Sequence, residues 1–543
     1  MLALRSGGSS TWAWLAVGVA AVLALPIVAV VSSLLIPAGD VWIHLWRTQL
    51  VELVGNTVLL LVGVGVGTLI VGTGLAWLIV YHRFPGRAVL EWALILPMAV
   101  PAYVIGFAFL GLFDYAGPLQ TAVRRALGPG AWLPEVRSYG GVVSMMTLVF
   151  YPYVYLLARV AFREQGAAAV ETARTLGRSR WAAFRQVTLP MARPSLAAGV
   201  ALAMMEALAD FGTVATFGYR TLTEAIYRVW YGMFDRVAAT QLASVLLLFA
   251  LGLLLLERRS RGRARFTQAG RRAPAVEALP LRGWPAAAAT SVCVGVLAFA
   301  FLLPVGQLGW WAVSALRAGQ MAPDFSGLLG HTCALAGVTA VLACLLAVLL
   351  GYAGRLHGTA TVRVAAQLAS MGYALPGAVI AVGVLLPLAW ADHALVPLLE
   401  RALGRPLGLL LTGSAAGLIL AYVVRFLAVG LQTVEASLGK IPPSLDDAAR
   451  ALGARAGTAL RRVHLPLMRS GLLTAVVIVF VETMKEMPAT LLLRPFGLNT
   501  LAVEIWERTS EAMWQEAAVP ALTLVGIGLL PVVLLIRLTS SRP

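Results

Sequence analysis

Two apolar stretches of the sequence each carry a closely spaced pair of acidic residues. Glu206 and Asp210 lie four residues apart in MEALADF, and Glu482 and Glu486 lie four apart in VETMKEM, which also contains Lys485. Residues four apart share one face of a helix, and charged residues inside a membrane usually face a bundle interior or a wet cavity. We expect this set to line or gate a path for a cation. The alternative is a structural role, in which Lys485 pairs with a neighbouring acid.

Other residue types that carry chemistry are scattered along the chain. The six histidines show no spacing of four residues, and the three cysteines lie in apolar stretches without metal-ligand spacing. The phosphate-binding pattern GxxxxGK[ST] does not occur. We therefore predict no catalytic residues, no metal site and no cofactor in this chain, and any ATP hydrolysis that drives it must come from another polypeptide.

The composition is that of an integral membrane protein. The 543 residues are 59% hydrophobic and 12% charged, with a mean hydropathy of +0.84, whereas soluble domains contain about 25% charged residues. A membrane-spanning helix needs roughly 20 apolar residues. Twelve stretches meet this requirement, at about 12–36, 55–81, 88–113, 141–162, 194–217, 237–256, 284–315, 331–354, 364–391, 408–433, 471–493 and 517–537.

The basic residues indicate the orientation of these spans. With the N-terminus and C-terminus in the cytoplasm, most Lys and Arg residues fall on inner segments, as the positive-inside rule requires. The formal net charge of +17 is then a property of the cytoplasmic face next to the lipid bilayer, and we expect no nucleic-acid partner. The basic run 258–272 belongs to a tether between two halves.

The sequence contains one pattern twice at a constant offset, since Glu171 corresponds to Asp447 and Glu206 to Glu482. We predict a first six-span repeat over 1–256, a basic cytoplasmic linker over 257–283 and a second six-span repeat over 284–543. Because six is an even number, both repeats enter the membrane from the same side. Parallel repeats of this kind are related by an axis along the membrane normal, with a pathway between them.

Each repeat carries a charge-rich loop between its fourth and fifth spans, at about 164–193 and 434–470. Glu171 begins a short helical stretch, and Gly177 ends it in the left-handed conformation that glycine adopts readily. Leu189-Pro190 is expected to end a second stretch and turn the chain back toward the membrane. Apolar residues between the charges suggest a docking surface for a cytoplasmic partner. The alternative is a loop that merely obeys the positive-inside rule.

Aromatic residues mark two segments that the predicted orientation places outside. Ile226, Trp230 and Phe234 are spaced by four, as expected for an amphipathic interfacial helix. Trp506 and Trp514 occupy the corresponding segment 500–516 of the second repeat. These tryptophans and Phe234 are candidates for membrane anchoring and for contact with a partner outside the membrane.

The loop pattern resembles the EAA loop of the integral membrane subunits of ABC-type importers. In that family the loop forms the coupling helices that dock into the ATPase subunits. Asp447 departs from the Glu of the pattern, which is a conservative change. The matching residues are Glu171, Ala173, Gly177, Leu189 and Pro190 in the first copy, and Asp447, Ala449, Gly453, Leu465 and Pro466 in the second.

The segments 205–221 and 480–501 narrow the resemblance to the fused, two-half permeases of the ferric-iron importer group. It implies an all-α, type I ABC importer permease of about twelve spans in two parallel six-helix repeats, in a bacterial inner membrane. The implied partners are two copies of a cytoplasmic ABC ATPase, which hold ATP and Mg, and a periplasmic substrate-binding protein. Thiamine or another organic cation is the alternative cargo. An ion-coupled secondary transporter is the alternative of another class.

Overall fold

Helices make up nearly all of the regular structure that the chain shows. The computed structural model describes residues 8–37, 39–128, 130–131, 134–164, 175, 177–261, 278–320 and 324–540. Within these ranges the strands are His82–Arg83 and Leu279–Pro280, which pair in parallel with His82 opposite Leu279. Glu171 and Ala173 of the first loop, and most of the predicted linker, lie outside the described residues.

The prediction of an all-α membrane fold with twelve spans is confirmed. In the part of the chain that the structure describes, twelve helices are long and apolar enough to cross a membrane. They are Thr11–Leu35, Leu50–Tyr81, Ala102–Leu127, Tyr139–Glu164, Trp181–Ala209, Arg236–Glu257, Trp284–Arg317, Phe325–His357, Gly377–Leu403, Ala415–Leu438, Ala456–Met484 and Trp514–Val533.

The individual helical elements are more numerous because several spans are interrupted or flanked by short helices. The α-helices are Gly8–Ser32, Asp40–Thr48, Leu50–Tyr81, Arg87–Ala93, Ala102–Phe113, Pro118–Leu127, Tyr139–Glu164, Arg180–Ala183, Leu189–Ala209, Phe211–Thr216, Leu222–Tyr227, Arg236–Arg261, Trp284–Leu297, Leu303–Arg317, Phe325–His357, Ala360–Ser370, Gly377–Leu403, Ala415–Leu438, Pro443–Ala451, Ala456–Ala459, Leu465–Met484, Pro488–Leu493, Leu501–Ser510 and Trp514–Ser540. The 3₁₀ turns are Ser33–Leu35, Leu96–Ala99 and Met371–Ala374, and the π-helical turns are Phe184–Thr188, Arg228–Gly232, Ala298–Leu302 and Leu460–His464.

Two of the predicted spans, 88–113 and 194–217, are interrupted within their length. The first range breaks at the 3₁₀ turn Leu96–Ala99 and at Pro101, because proline has no N–H to donate and its ring displaces the preceding residue from helical geometry. The second breaks at Asp210, which has extended backbone angles and begins a new short helix.

The Leu-Pro dipeptides do not turn the chain back toward the membrane, contrary to expectation. The chain stays helical through Leu189-Pro190 and Leu465-Pro466. In each case a π-helical turn precedes the dipeptide, and Leu189 N–H donates to the carbonyl of Phe184 five residues earlier. Leu465 donates to Leu460 in the same way. Proline at the second position of the α-helix that follows supplies no N–H, so the chain stays helical there with one backbone hydrogen bond fewer.

The chain forms two compact units. One contains Met1–Trp42, Ile226–Leu247 and Pro323–Glu504, and the other contains Ile43–Ala225, Leu248–Ala322 and Ile505–Pro543. Each unit therefore draws segments from both predicted repeats. The compact units are a different division of the chain from the repeats, whose boundaries stay a prediction.

Small residues allow the central helices of the second unit to pack closely. A Cβ on Gly67 would overlap with Thr147 Oγ1, and one on Gly72 would lie 2.7 Å from Val154 Cβ. Helix pairs in membranes commonly use small residues in this way, because lipid provides no hydrophobic force to drive the helices together. The helices Leu50–Tyr81 and Tyr139–Glu164 thus form the centre of this unit.

In the first unit, helix Phe325–His357 packs against Ala415–Leu438 and Leu465–Met484. Tyr352 is almost fully buried near the end of this long helix, and Trp12 meets its ring edge to face at 5.2 Å. Tyr352 also donates a hydrogen bond of 2.8 Å to the carbonyl of Ala456. This contact places the end of a membrane helix directly against the predicted second loop.

Candidate functional site

The second loop is a short helix, a glycine turn and a second helix, as the sequence predicts. Helix Pro443–Ala451 ends before Gly453, which has a φ of 74°, in the left-handed region. The turn is closed by Gly453 N–H on the carbonyl of Arg450 and by Ala454 N–H on that of Ala449. Leu452 stands at this turn with 88% of its surface exposed.

Two neighbouring acids in this loop have different surroundings. The Asp447 side chain is 70% exposed, and among the described residues its one ion pair is with the equally exposed Arg450. Asp446 instead faces inward, where its Oδ2 accepts hydrogen bonds from Arg355 Nε at 2.9 Å and Nη2 at 2.6 Å. His464 Nε2 lies 2.7 Å from Asp446 Oδ1. Asp447 is therefore available to a partner, whereas Asp446 fixes the loop.

Arg355 extends this attachment to the chain on either side. Its guanidinium also donates to the carbonyls of Leu438 at 2.7 Å and Ile441 at 2.9 Å. Since Arg355 lies in the last turn of the long helix Phe325–His357, the loop is tied to that helix end. We call Arg355, Asp446 and His464 the loop clamp.

The loop clamp predicts an acid-sensitive contribution to stability. Partial burial acts to raise the pKa of Asp446, but the Arg355 guanidinium and His464 outweigh it and hold the pKa below its ordinary value of 3.8. A depressed carboxyl pKa stabilises the fold above the unfolded-state value, and this contribution is lost as the pH falls through the folded-state value. We expect Asp446→Asn to lower the free energy of unfolding by about 1.5 to 3 kcal/mol at pH 7.

The neighbouring variant Asp447→Asn is a matched control in the same helix. Because its ion pair is exposed, we expect a change of about 0.5 kcal/mol or less. Melting of the purified chain followed by circular dichroism between pH 7 and pH 3 checks both. The difference between Asp446→Asn and wild type should shrink below about pH 4. Equal stability of the two variants at pH 7 would contradict the clamp.

The first loop is fixed by aromatic contacts in its described part. Gly177 has a φ of 82°, which confirms the predicted left-handed turn. Beyond it, the rings of Trp181 and Phe184 stack with centroids 5.7 Å apart, and Trp77 meets Trp181 edge to face at 6.2 Å. Phe162 also contacts Phe184. The predicted apolar face of this loop therefore packs onto the ends of the helices Leu50–Tyr81 and Tyr139–Glu164.

The acid at 210 is used as a helix cap. Asp210 precedes the short helix Phe211–Thr216, and its Oδ1 accepts from Thr213 N–H at 3.0 Å. Its other oxygen accepts from the Thr213 hydroxyl. Glu206, one turn earlier, lies on helix Leu189–Ala209, is partly buried and also has an interaction partner. Capping satisfies backbone N–H groups that have no partner within the helix.

Glu486 likewise caps a short helix, Pro488–Leu493, and it is more deeply buried than Asp210. Glu486 Oε1 accepts from Ala489 N–H at 3.0 Å, which is the counterpart of the Asp210 bond in the first repeat. Its Oε2 lies 3.0 Å from Arg425 Nε, with the two side chains only 4% and 13% exposed. A Cβ on Gly377 would fall 2.5 Å from Glu486 Oε1. Gly377 therefore packs directly against the ion pair, and a side chain at this position would collide with Glu486.

Tyrosine hydroxyls complete the attachment of the second short helix, Pro488–Leu493. Tyr227 donates to the carbonyl of Pro488 at 2.6 Å, and Tyr231 donates to that of Leu491 at 2.7 Å. Tyr422 and Thr490 share a hydrogen bond of 2.5 Å. The short helix is thus hydrogen-bonded to two other segments, one bearing Tyr227 and Tyr231 and the other bearing Tyr422.

Lys485 Nζ lies 2.8 Å from Glu482 Oε1, three residues away on the same helix. This is the pairing that the structural alternative anticipates. Glu206 and Asp210 belong to one compact unit, and Glu482, Lys485 and Glu486 to the other. Capping and ion pairing account for Asp210, Lys485 and Glu486, and a pathway-lining role for the set stays a prediction.

The aromatic candidates on the predicted outer side occupy different surroundings. The helical turn ends before Phe234, which has a φ of 54° and is 83% exposed, so the expected helix does not reach it. Trp230 lies within 5.6 Å of the Arg236 guanidinium. Trp506 packs on Phe211, and Trp514 begins the last span against Trp311. Phe234 is the most accessible of the four to a partner.

Sequence reasoning missed three functional features. These are the loop clamp, the Arg425 partner of Glu486, and the exposed Leu452. The clamp joins residues 91 positions apart in the chain, which no local spacing reveals. Leu452 could have been found as an apolar residue next to a turn glycine in a charged loop.

The fold and these loops define a twelve-span transport protein with a duplicated scaffold. The chain belongs to the family described as binding-protein-dependent transport system inner membrane component, which matches residues 68–259 and 343–542. It is thus a multi-pass inner-membrane permease of an ABC importer, as predicted, and works with an ATPase and a periplasmic binding protein.

Relatives differ in the cargo that their names give. An Fe(3+)-transport system permease protein of Haemophilus influenzae is 26% identical over 501 residues, covering 90% of each chain. A sulfate transport system permease protein of Escherichia coli is 31% identical over 249 residues, covering 43% of this chain and 84% of its own length. A molybdenum transport system permease protein of Escherichia coli is 30% identical over 162 residues, covering 29% of this chain and 69% of its own length.

Proposed function

We propose that this chain is the permease through which a bacterial ATP-driven importer moves ferric iron into the cytoplasm. The observation that carries the proposal is the likeness to an Fe(3+) permease along 90% of both chains. The sulfate and molybdenum permeases match 43% and 29% of this chain. Of these three relatives, the ferric-iron permease is thus the one whose match extends over both halves of this chain.

Two of the interrupted spans favour a cation over an oxyanion at the helix ends that follow their interruptions. A free helix N-terminus attracts anions, because its backbone N–H groups and dipole are positive. In this chain the two short helices that follow the interruptions begin at in-chain carboxylates, Asp210 and Glu486. At these two ends an in-chain carboxylate thus already occupies the position that a sulfate or molybdate ion would take.

Coupling to ATP runs through the two loops in this proposal. Asp447, Leu452 and the Gly453 turn form the exposed surface of the second loop, and Glu171 and Gly177 belong to the first. ATP and Mg would be held by two copies of the partner ATPase. Because the loop clamp ties the second loop to helix Phe325–His357, closure of the ATPase pair would move that helix end together with the loop.

Reconstitution with a radioactive cargo tests the proposal. The full chain, its co-purified ATPase and the co-purified binding protein would be placed in liposomes with ATP inside. We expect ferric iron on the binding protein to be taken up and to stimulate ATP hydrolysis several-fold, with labelled sulfate, molybdate and thiamine left outside. Uptake of thiamine or an oxyanion instead would contradict ferric iron as the cargo, while the chain would still be the permease of an ATP-driven importer.

Sulfate is the second candidate, favoured by one observation. The local identity to the sulfate permease, 31%, exceeds the 26% identity to the ferric-iron permease. Its match is nevertheless confined to a length close to one repeat. In the same liposomes, sulfate-dependent ATP hydrolysis with no response to iron would establish this candidate.

A further inference from the structure

A large apolar groove lies on the second compact unit, beside the first loop. Its volume is about 880 Å³, and nearly all of its surface is apolar. Helices Leu50–Tyr81, Leu189–Ala209 and the end of Arg236–Arg261 form its walls. Trp181 and Phe184 of the first loop form one end, near Trp77.

The groove extends to the depth of one membrane leaflet. Between Leu69 and Trp77 a helix rises about 12 Å, and between Leu189 and Met204 about 22 Å. One leaflet of the hydrocarbon core is about 15 Å deep. With the proposed orientation, the end bearing the two tryptophans lies at the cytoplasmic interface, where tryptophan is favoured. An acyl chain therefore matches the groove in length and polarity.

Two polar groups on the wall have no partner in the described chain. Arg193 is exposed and forms no ion pair with any residue that the structure describes. The Thr73 hydroxyl is buried without a hydrogen bond among the described residues. Glu257, the other charged residue of the lining, has an interaction partner of its own. The lining thus offers one uncompensated positive charge and one free hydroxyl beside an apolar slot.

We propose that the groove binds an anionic phospholipid of the cytoplasmic leaflet. The acyl chains lie along the apolar walls, the phosphate pairs with Arg193, and the Thr73 hydroxyl donates to an ester carbonyl. Basic sites between membrane helices on the cytoplasmic side are suited to acidic lipid headgroups. Because Trp181 and Phe184 form part of the wall, the bound lipid supports the first loop directly. The orientation, and so the leaflet, rests on the proposed function.

A glycine in the groove allows a direct test. A Cβ on Gly74 would meet no atom within 4 Å, so Gly74→Leu has an open space at its Cβ and places its side chain in the groove. Gly55 lies on the same helix, is equally unobstructed and lies outside the lining, which makes Gly55→Leu the matched control. Arg193→Gln removes the charge and keeps the groove open.

Native mass spectrometry of the purified full chain, titrated with phosphatidylglycerol or phosphatidylethanolamine, measures the binding. We expect one tightly held phosphatidylglycerol, weakened at least tenfold in Gly74→Leu and unchanged in Gly55→Leu. Arg193→Gln should reduce the preference for phosphatidylglycerol over phosphatidylethanolamine by about fivefold, which corresponds to about 1 kcal/mol for one basic residue near the membrane surface.

Two outcomes would overturn the proposal. One is undiminished binding in a Gly74→Leu variant whose melting temperature matches that of Gly55→Leu. The other is equal binding of the two lipids by the wild-type chain, which would make the groove a site for lipid of any charge. Lipid binding is measured without ATPase, binding protein or cargo, so failure of this proposal and failure of the iron assignment are distinguishable.

Discussion

Arg425→Met is expected to cause the largest loss of stability of any single substitution considered for this permease, about 3 to 5 kcal/mol. The reason is that Glu486 is 5% exposed and lies 3.0 Å from Arg425 Nε. Removal of the arginine leaves a buried carboxylate without a compensating charge. Unfolding of the purified chain in mixed micelles of increasing sodium dodecyl sulfate, followed by circular dichroism, measures the loss.

A double variant separates the ion pair from packing. Arg425→Met with Glu486→Gln removes both charges, and Gln keeps a carbonyl oxygen that can still accept from Ala489 N–H. We expect most of the lost stability to return, because replacing a buried ion pair by neutral groups is often near neutral. A double variant no more stable than Arg425→Met would show that the arginine acts through its shape and not through its charge.

Gly453→Val is expected to have the largest effect on coupling. Gly453 has a φ of 74°, and a residue with a Cβ pays about 1–2 kcal/mol to adopt the left-handed region. The turn would reopen and shift Asp447 and Leu452, which form the proposed contact with the ATPase. We expect ATPase association and stimulated ATP hydrolysis to fall at least tenfold, while the melting temperature of the isolated permease changes little.

Gly457→Val is the matched control for this prediction. Gly457 lies four residues further along the same loop, in the helical turn Ala456–Ala459, and a Cβ there would meet no atom within 4 Å. Normal ATPase association in Gly457→Val together with loss in Gly453→Val assigns the effect to the turn. Normal association in both variants would refute the coupling role of the second loop.

The spans and the loop glycines could be predicted because each depends on local sequence. The hydropathy of a window as long as the bilayer core is thick identifies a span, and Gly177 and Gly453 follow from the need for a left-handed residue between two short helices. The positions of Asp210 and Glu486 also followed from the repeat. Their capping role did not, because a carboxylate in an apolar stretch is equally suited to a pathway, an ion pair or a cap.

The contacts between distant segments could not be predicted. Arg355 meets Asp446 from a different helix, far away in the sequence, and Arg425 meets Glu486 in the same manner. In both cases the sequence shows only an isolated charge near the end or middle of an apolar run. The helical continuity through Leu189-Pro190 also differs from expectation, because the π-helical turn supplies a geometry that proline statistics for α-helices do not include.

The π-helical turns before the two Leu-Pro dipeptides set the rotational phase of the spans that follow them. Phe184–Thr188 and Leu460–His464 occupy the same place in both repeats, each directly before a Leu-Pro dipeptide. A π turn amounts to one inserted residue in an α-helix, and one residue rotates all that follows by about 100° about the helix axis. The two repeats therefore share the same phase shift before their fifth spans, as well as the same sequence pattern. A deletion in one copy alone would turn its fifth span out of phase with its twin.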